Sequence, residues 1–220
     1  MAIFSGPEIA ETGLVLCLDA ANPRSYPGSG TVWNDLIDTT NYVILTNGPS
    51  YDSGLKGSIV FDGTNDYATS VSLANPNGQL TCEVGLNYDS GTTYRNIFER
   101  STASRPMLWI DSSNKIEVSF SSGAGGITSA NSYNGQNIVI TATFNSGSTP
   151  GIQLFVNGNL TNTVTTSHVV WSNPSTFTLF NRSAGETFDG KIYFIRFYNR
   201  VLSAGEILQN YNATRSRFGL

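Results

Sequence analysis

The chain has 220 residues and a formal net charge of −4, with 39% hydrophobic and 13% charged residues. This length suits one large β-rich domain with a sizeable core. The acidic balance argues against nucleic-acid binding, because phosphate contacts require a concentrated basic face. No apolar run approaches the roughly 18 residues that a membrane span requires, so we expect no membrane insertion.

Residues 1–11 lack the basic start and the apolar core of a secretory signal. We therefore expect synthesis in a reducing cytoplasm. Cys17 and Cys82 both lie in apolar, strand-like runs. In a reducing compartment, that setting favours two buried free thiols over a disulfide bridge.

Short apolar alternations separated by turn residues recur along the chain, which predicts an antiparallel all-β sandwich rather than alternating strands and helices. The segment at 121–132 is predicted to be a surface loop. In chain order the predicted strands are Leu14–Leu18, Tyr42–Leu45, Ser58–Phe61, Tyr67–Leu73, Leu80–Tyr88, Asn96–Glu99, Met107–Ile110, Ile116–Phe120, Ile138–Phe144, Ile152–Val156, Leu160–Thr165, Phe177–Phe180 and Ile192–Tyr198.

Two turns and one helix are predicted from local signals. Asn157 and Gly158 suit the two positive φ angles of a type I′ hairpin, and residues 62–65 suggest a second hairpin-like turn. A capping box from Ser203 to Glu206 predicts the start of a helix. Its apolar stripe is expected to cover an edge or an end of the sandwich; the stripe comprises Ile207, Leu208 and Tyr211.

Three segments carry a family resemblance: Leu14–Tyr26, Ser58–Tyr67 and Phe188–Ala213. In this order they resemble the concanavalin A-like, laminin-G-like jelly-roll domains. The resemblance implies a two-sheet antiparallel jelly-roll sandwich, closed by pairing of its first and last strands, with one short C-terminal helix.

This resemblance extends over nearly the whole chain. It implies a single jelly-roll domain over residues 1–220, with an N-terminal arm at 1–12 and a C-terminal tail at 214–220. The tail is basic and ends near an aromatic residue. It can be a frayed terminus or an arm that docks on a neighbouring molecule.

The opening stretch GLVLCLDAANPRSYPGSGT and the closing NYNATRSRFGL resemble virion structural proteins of tailed bacteriophages. That resemblance implies a non-enzymatic capsid-decoration or tail component, located in the virion and made in the bacterial host cytoplasm. Its partners would be other virion proteins, further copies of itself and host-surface glycans. A carbohydrate-binding lectin or adhesin module is the alternative function.

Catalysis is not expected from the carboxylates. Glycoside hydrolases that resemble this jelly roll carry two or three carboxylates, which alternate along one strand and act as acid and nucleophile. Here Glu83, Glu99 and Glu117 each stand alone, so we expect no enzyme, although a hydrolase with carboxylates from different strands stays open as a second alternative. The single histidine, His168, leaves no room for a zinc site with several imidazoles.

No cofactor is required by the sequence, but the laminin-G-like resemblance implies a calcium site at a loop edge. Carboxylate and amide oxygens, which calcium prefers, are offered by Asp62, Asn65, Asp66 and Asp189. The same D-G-T-N-D run also suits a tight turn, because Asp and Asn side chains bond to nearby main-chain amides.

Glycan binding would need aromatic platforms and polar groups on one surface. Candidate platforms are Trp33, Tyr94, Trp109, Tyr133 and Trp171. Each of these residues would equally suit the core, since aromatic side chains dominate the interiors of β-sandwiches.

The last long strand departs from the family pattern. Relatives usually read G-K-I-D-E-V-R-I-Y-N-R, whereas here Tyr193 and Phe194 replace the two acidic positions. Gly85 stands where relatives often have a large aromatic residue. We infer an additional buried face, covered by a loop or by a neighbouring subunit. The predicted interface residues are Tyr193, Phe194, Arg215, Arg217 and Phe218.

Overall fold

The computed structural model describes residues 8–73, 78–100, 106–120, 126–165, 175–180 and 186–219. Within them the strands are β1 (Leu14–Asp19), β2 (Val32–Asn34), β3 (Tyr42–Thr46), β4 (Ser50–Asp52), β5 (Ser58–Asp62), β6 (Tyr67–Leu73), β7 (Gln79–Tyr88), β8 (Arg95–Arg100), β9 (Met107–Ile110), β10 (Lys115–Ser119), β11 (Ile127–Ser132), β12 (Ile138–Asn145), β13 (Ile152–Val156), β14 (Asn159–Val164), β15 (Ser175–Leu179) and β16 (Asp189–Tyr198). The helix α1 spans Ala204–Thr214, and single 3-10 turns occupy Gly54–Lys56 and Arg215–Phe218.

The strands form two antiparallel sheets. Sheet A has the order β14-β13-β12-β7-β16-β5-β4, with β1 also paired to β16. Sheet B has the order β11-β10-β9-β8-β15-β6-β3-β2. Leu18 and Asp19 of β1 lie opposite Ile195 and Phe194 of β16, which confirms the predicted pairing of the first strand with the last. The all-β sandwich is also confirmed.

The core lies between the two sheets and is built from alternate strand residues. Phe98 of sheet B packs edge-on against Phe144 and Phe197 of sheet A, with ring centroids 5.9 and 5.2 Å apart. Such aromatic pairs join the layers through large buried areas and favourable ring geometry. Cys17 and Cys82 are buried and free, and burial raises the pKa of both thiols.

Three strands were absent from the sequence prediction, namely β2, β4 and β11. β11 lies within the segment predicted to be a loop. Its residues are largely Ser, Thr and Asn, and such residues lower the strand signal although β10 pairs with them. The predicted hairpin at 62–65 was also wrong. β5 belongs to sheet A and β6 to sheet B, so this turn connects the two layers.

The helix begins as predicted. The Ser203 hydroxyl accepts from the Glu206 amide at 3.3 Å, and the Ser203 amide donates to the Glu206 carboxylate at 2.9 Å. Its buried residues are Ile207 and Asn210, whereas Leu208 is 46% exposed. The predicted stripe was therefore wrong at Leu208, because a buried polar network occupies the helix face beside Ile207.

Within the described ranges, no helix has both the length and the apolar character to cross a membrane.

Candidate ligand-binding face

The outer face of sheet A is closed by the C-terminal part of the chain. The Phe218 ring lies 4.8 Å from the Tyr193 ring and 6.5 Å from the Phe194 ring. All three side chains are buried. The sequence predicted that a loop or a neighbouring subunit covers Tyr193 and Phe194. The cover is the C-terminal turn of the same chain. Contact of these residues and of the exposed Arg215 with another subunit stays a prediction.

Gly85 is required by this closure. A Cβ atom at that position would overlap the ring of Phe194 on the neighbouring strand. The Phe194 ring therefore occupies the space that an aromatic side chain at residue 85 is expected to fill in relatives. This confirms that another group fills the space above Gly85.

A buried polar network lies beneath α1. The Arg196 guanidinium donates to the Glu83 carboxylate at 3.1 Å, and both side chains are almost fully buried. The Asn210 amide donates to the same carboxylate and to the Tyr198 hydroxyl, while the main-chain amide of Ala10 donates to the Asn210 oxygen. Burial raises the pKa of Glu83, although Arg196 and Asn210 oppose that shift.

Arg217 fastens the last turn to sheet A. Its guanidinium donates to the Asp19 carboxylate at 2.8 Å and to the main-chain oxygens of Leu55 and Tyr193 at 3.0 and 3.3 Å. The predicted tail is thus a 3-10 turn held against its own domain. A ligand approaching the outer face of sheet A would have to displace these contacts.

The outer face of sheet B has a different composition. Its residues alternate with the core residues of the same strands, and most are hydroxyl, amide or aromatic side chains. On the β2–β3 side, Val32, Tyr42 and Ile44 are 41%, 50% and 39% exposed. By strand register this face carries Val32, Asn34, Tyr42, Ile44, Thr46, Tyr67, Thr69, Ser72, Asn96, Glu99, Met107, Trp109, Lys115, Glu117, Ser119, Thr128, Thr176 and Thr178.

Trp109 and Tyr94 form an aromatic pair on the β8–β9 side of this face. Their rings meet edge to face with centroids 5.6 Å apart, and Tyr94 is 42% exposed while Trp109 is 6% exposed. Trp109 lies opposite Asn96 on one neighbouring strand and Glu117 on the other. Among the described residues, neither side-chain amide atom of Asn96 has a hydrogen-bond partner, which is uncommon for a buried polar group.

The remaining predicted platforms are placed differently. Trp33 is fully buried in the core, and Tyr133 is partly buried against it. Trp171 lies outside the described residues. Tyr42 was missed by the sequence analysis, although its outward parity in the alternating run Tyr42–Leu45 was the available signal.

The isolated glutamates occupy two faces. Glu83 belongs to the network on sheet A, whereas Glu99 and Glu117 lie on the outer face of sheet B, on β8 and β10. The strand that carries Trp109 separates them. Two carboxylates on a shared face are an arrangement that the sequence left open.

The four predicted calcium ligands lie near one end of the sandwich. Asp62 and Asp189 are opposite each other on β5 and β16. The Asp62 amide donates to the Asp66 carboxylate at 3.1 Å, and the Thr64 amide donates to the Asp62 carboxylate at 2.8 Å. Asn65 is exposed. Turn bonding therefore accounts for two of these side chains.

The charges at this end are crowded. Burial raises the pKa of Asp66 and of Asp189, and neighbouring aspartates raise both further. Among the described residues, no three His, Cys, Asp or Glu side chains are arranged to hold a metal ion. Calcium binding stays a prediction.

Solved structures share this fold at low sequence identity. Domain 4 of AbnA, a GH43 extracellular arabinanase from Geobacillus stearothermophilus in complex with arabinotriose, matches with a TM-score of 0.70 and 14% identity over 92% of this chain and 100% of that one. A botulinum neurotoxin serotype D/C binding domain matches with a TM-score of 0.70 and 12% identity, over 92% of this chain and 52% of that one.

Sialidases are also among the similar structures. Trypanosoma rangeli sialidase in complex with sialic acid matches with a TM-score of 0.69 and 14% identity, over 95% of this chain. The chain spans about a third of the sialidase, 34% of its length. These enzymes correct the expectation that the protein is not an enzyme, while identity at this level shows the shared fold alone.

The comparisons bear on the family and the fold. None of them supports a phage virion location. Among curated protein sequences, no relative matches this chain significantly. A family model described as the concanavalin A-like lectin/glucanases superfamily matches residues 62–208, which is more than half of the chain. This protein therefore belongs to the concanavalin A-like lectin/glucanase superfamily, within its laminin-G-like branch.

Proposed function

We propose that this chain is a carbohydrate-binding domain that contacts glycans with the outer face of sheet B. The carrying observation is the exposure of Tyr42 and Tyr94 on or beside that face, while the C-terminal segment covers the outer face of sheet A. The outer face of sheet B is thus accessible on its β2–β3 side and at Tyr94, whereas Asn96, Glu99, Met107 and Trp109 on the same face are buried.

The side chains of the open face suit sugars. Aromatic rings can pack against the C–H faces of a sugar ring, and hydroxyl, amide and carboxylate groups can bond its hydroxyls. Four strand spacings separate Tyr42 on β3 from Trp109 on β9, which corresponds to about 19 Å. A ligand that contacts both Tyr42 and the exposed Tyr94 ring, which packs against Trp109, would be an oligosaccharide rather than a single sugar.

The superfamily supports this proposal, since its description includes lectins. The arabinanase domain is a second support, because its structure contains arabinotriose and it matches this chain over its own full length. Arabinotriose is therefore the first ligand to test.

Binding to immobilised glycans, including arabinan and sialylated oligosaccharides, tests the proposal. Replacing Tyr42 or Tyr94 by Ala should weaken binding about tenfold, because a lost aromatic contact costs about 1.4 kcal/mol. Leu160→Ala is the matched control, since Leu160 is 54% exposed on sheet A. Binding that none of these variants changes, or no binding to any glycan, would contradict the proposal.

Glycoside hydrolysis is a second candidate, because Glu99 and Glu117 lie on one face, separated by the strand of Trp109, with Glu99 6% exposed. Two carboxylates flanking a bound sugar are what acid–base or nucleophilic hydrolysis requires. Reducing-sugar release from polysaccharides that bind would test it. Loss of release in Glu117→Gln with binding retained would support hydrolysis, and binding without release would leave the lectin function.

The narrower role predicted from the sequence, a phage virion component attached to host glycans, would use the same glycan-binding face. No contact among the described residues favours it over a lectin or adhesin module, and its virion partners stay predictions.

A further inference from the structure

One buried arginine organises the acidic end of the sandwich. Arg95, at the start of β8, is 2% exposed. Its guanidinium donates to the side-chain oxygen of Asn114 at 2.8 Å, to the main-chain oxygen of Asp111 at 3.4 Å and to the main-chain oxygen of Asp89. These acceptors come from two different loops, so one cation holds both loops in place.

The loops close tightly around this cation. The Gly91 amide donates to the same Asn114 oxygen at 2.8 Å, and a Cβ atom at Gly91 would come within 2.9 Å of the Arg95 guanidinium. The Tyr88 hydroxyl donates to the Asn114 main-chain oxygen at 2.8 Å, and its ring lies 5.6 Å beneath the guanidinium carbon. Arg95 is therefore packed on several sides by groups from both loops.

Several carboxylates surround the guanidinium. Burial lowers the pKa of Arg95, and the Tyr88 phenol with the carboxylates of Asp189, Asp111 and Asp89 opposes that shift. Asp189 in turn lies opposite Asp62. The Asp89 amide donates to the main-chain oxygen of Asp189 at 3.2 Å, so the loop that Arg95 holds also contacts the strand end that carries this predicted calcium ligand.

We propose that the guanidinium of Arg95 takes the place of a bound calcium ion in neutralising and ordering this end of the sandwich. Calcium would use main-chain and side-chain oxygens converging from loops, and here such oxygens accept hydrogen bonds from Arg95 instead. An arginine remains charged at every physiological pH and is covalently part of the chain. Folding of this domain is then independent of calcium, whatever ligand the domain binds.

Thermal unfolding in millimolar calcium chloride and in excess chelator tests the proposal on the wild-type chain. The expected result is the same Tm in both solutions, and no heat of calcium binding in titration calorimetry. A Tm that rises with calcium, or stoichiometric calcium binding, would overturn the proposal.

Substitutions at Arg95 provide the second arm. Arg95→Gln should lower Tm by about 10 °C, because it leaves buried oxygens and carboxylates without their cation, and added calcium should recover part of that loss. Arg24→Gln is the control, since Arg24 is exposed, and its Tm should change by less than about 2 °C. Equal losses in the two variants would overturn the proposal.

If Arg95→Gln does not fold, Arg95→Lys takes its role in the experiment. The lysine keeps the charge but not the fork of donors, so a folded protein whose Tm is insensitive to calcium is expected. A calcium-dependent Tm in Arg95→Lys would count against the guanidinium as the resident cation.

Discussion

The outer faces of the two sheets differ in what covers them. Sheet A packs its aromatic and charged residues beneath α1 and Phe218, whereas sheet B exposes Tyr42, Ile44 and neighbouring polar side chains. Both faces belong to one sandwich, so the difference arises from the C-terminal segment and from the residues beneath it. Two sheets of one sandwich can thus differ in role: the outer face of sheet A is covered by the chain itself, and that of sheet B is the proposed ligand-binding face.

The closed face depends most strongly on its buried ion pair. Replacing Glu83 by Ala should destabilise the protein by about 4 kcal/mol, because Arg196 would remain buried without its partner. Denaturant unfolding measures this change. The double variant Glu83→Leu with Arg196→Met should recover most of the loss, and a single-variant cost below about 1 kcal/mol would contradict the network's role.

The packing of Phe218 against sheet A is expected to make the second-largest contribution to the free energy of unfolding. Phe218→Ala removes a buried ring that contacts Tyr193 and Phe194, and it should cost about 3 kcal/mol. Leu208→Ala is the control, because Leu208 is 46% exposed on α1, and it should change the free energy of unfolding by less than about 0.5 kcal/mol. Similar losses for both variants would mean that the contacts of Phe218 with sheet A do not stabilise the protein specifically.

Gly85 tests the fit of Phe194 directly. Gly85→Ala should cost about 2 kcal/mol, because its Cβ forces the Phe194 ring to move. At Gly205 in α1 the nearest atom to a new Cβ lies 4.0 Å away, so Gly205→Ala should stabilise by about 0.5 kcal/mol. Opposite signs for these two substitutions in denaturant unfolding are the predicted result.

The cap of α1 should show the smallest stability effect and a defined pH dependence. Hydrogen bonds from Arg200 and Ser203 lower the pKa of Glu206 from 4.5 to about 2. Glu206→Gln should therefore cost about 1 kcal/mol at neutral pH. The wild type loses this advantage as the pH falls from 4.5 towards 2, because protonation then favours the unfolded chain, and a constant difference across that range would contradict the assignment.

Local sequence signals predicted much of the fold. The capping box at Ser203 and the Asn157–Gly158 turn are set by neighbouring residues, and the pairing of β1 with β16 followed from the family resemblance. The strand β11 was missed because its outward residues are polar. The helix α1 was predicted to cover an edge or an end of the sandwich, yet it covers a face of sheet A. The sequence alone could not show this, since Gly85 and Phe194 on that face become neighbours only through the register of β7 and β16.

The candidate site was less predictable for the same reason. Trp33 and Trp109 are both aromatic residues in short strands, but only the register shows that Trp33 faces the core and Trp109 the outer face. Arg95 gave no sequence signal, since two of its three acceptors are main-chain oxygens and the acceptors come from two separate loops.

Hydrogen exchange with and without a saturating glycan from the binding panel, starting with arabinotriose, tests the central claim most directly. The predicted result is protection in residues 32–46, 94–100 and 106–110, with no change in residues 204–218. Protection confined to residues 204–218, or opening of that segment on binding, would show that the ligand uses sheet A and would contradict the account.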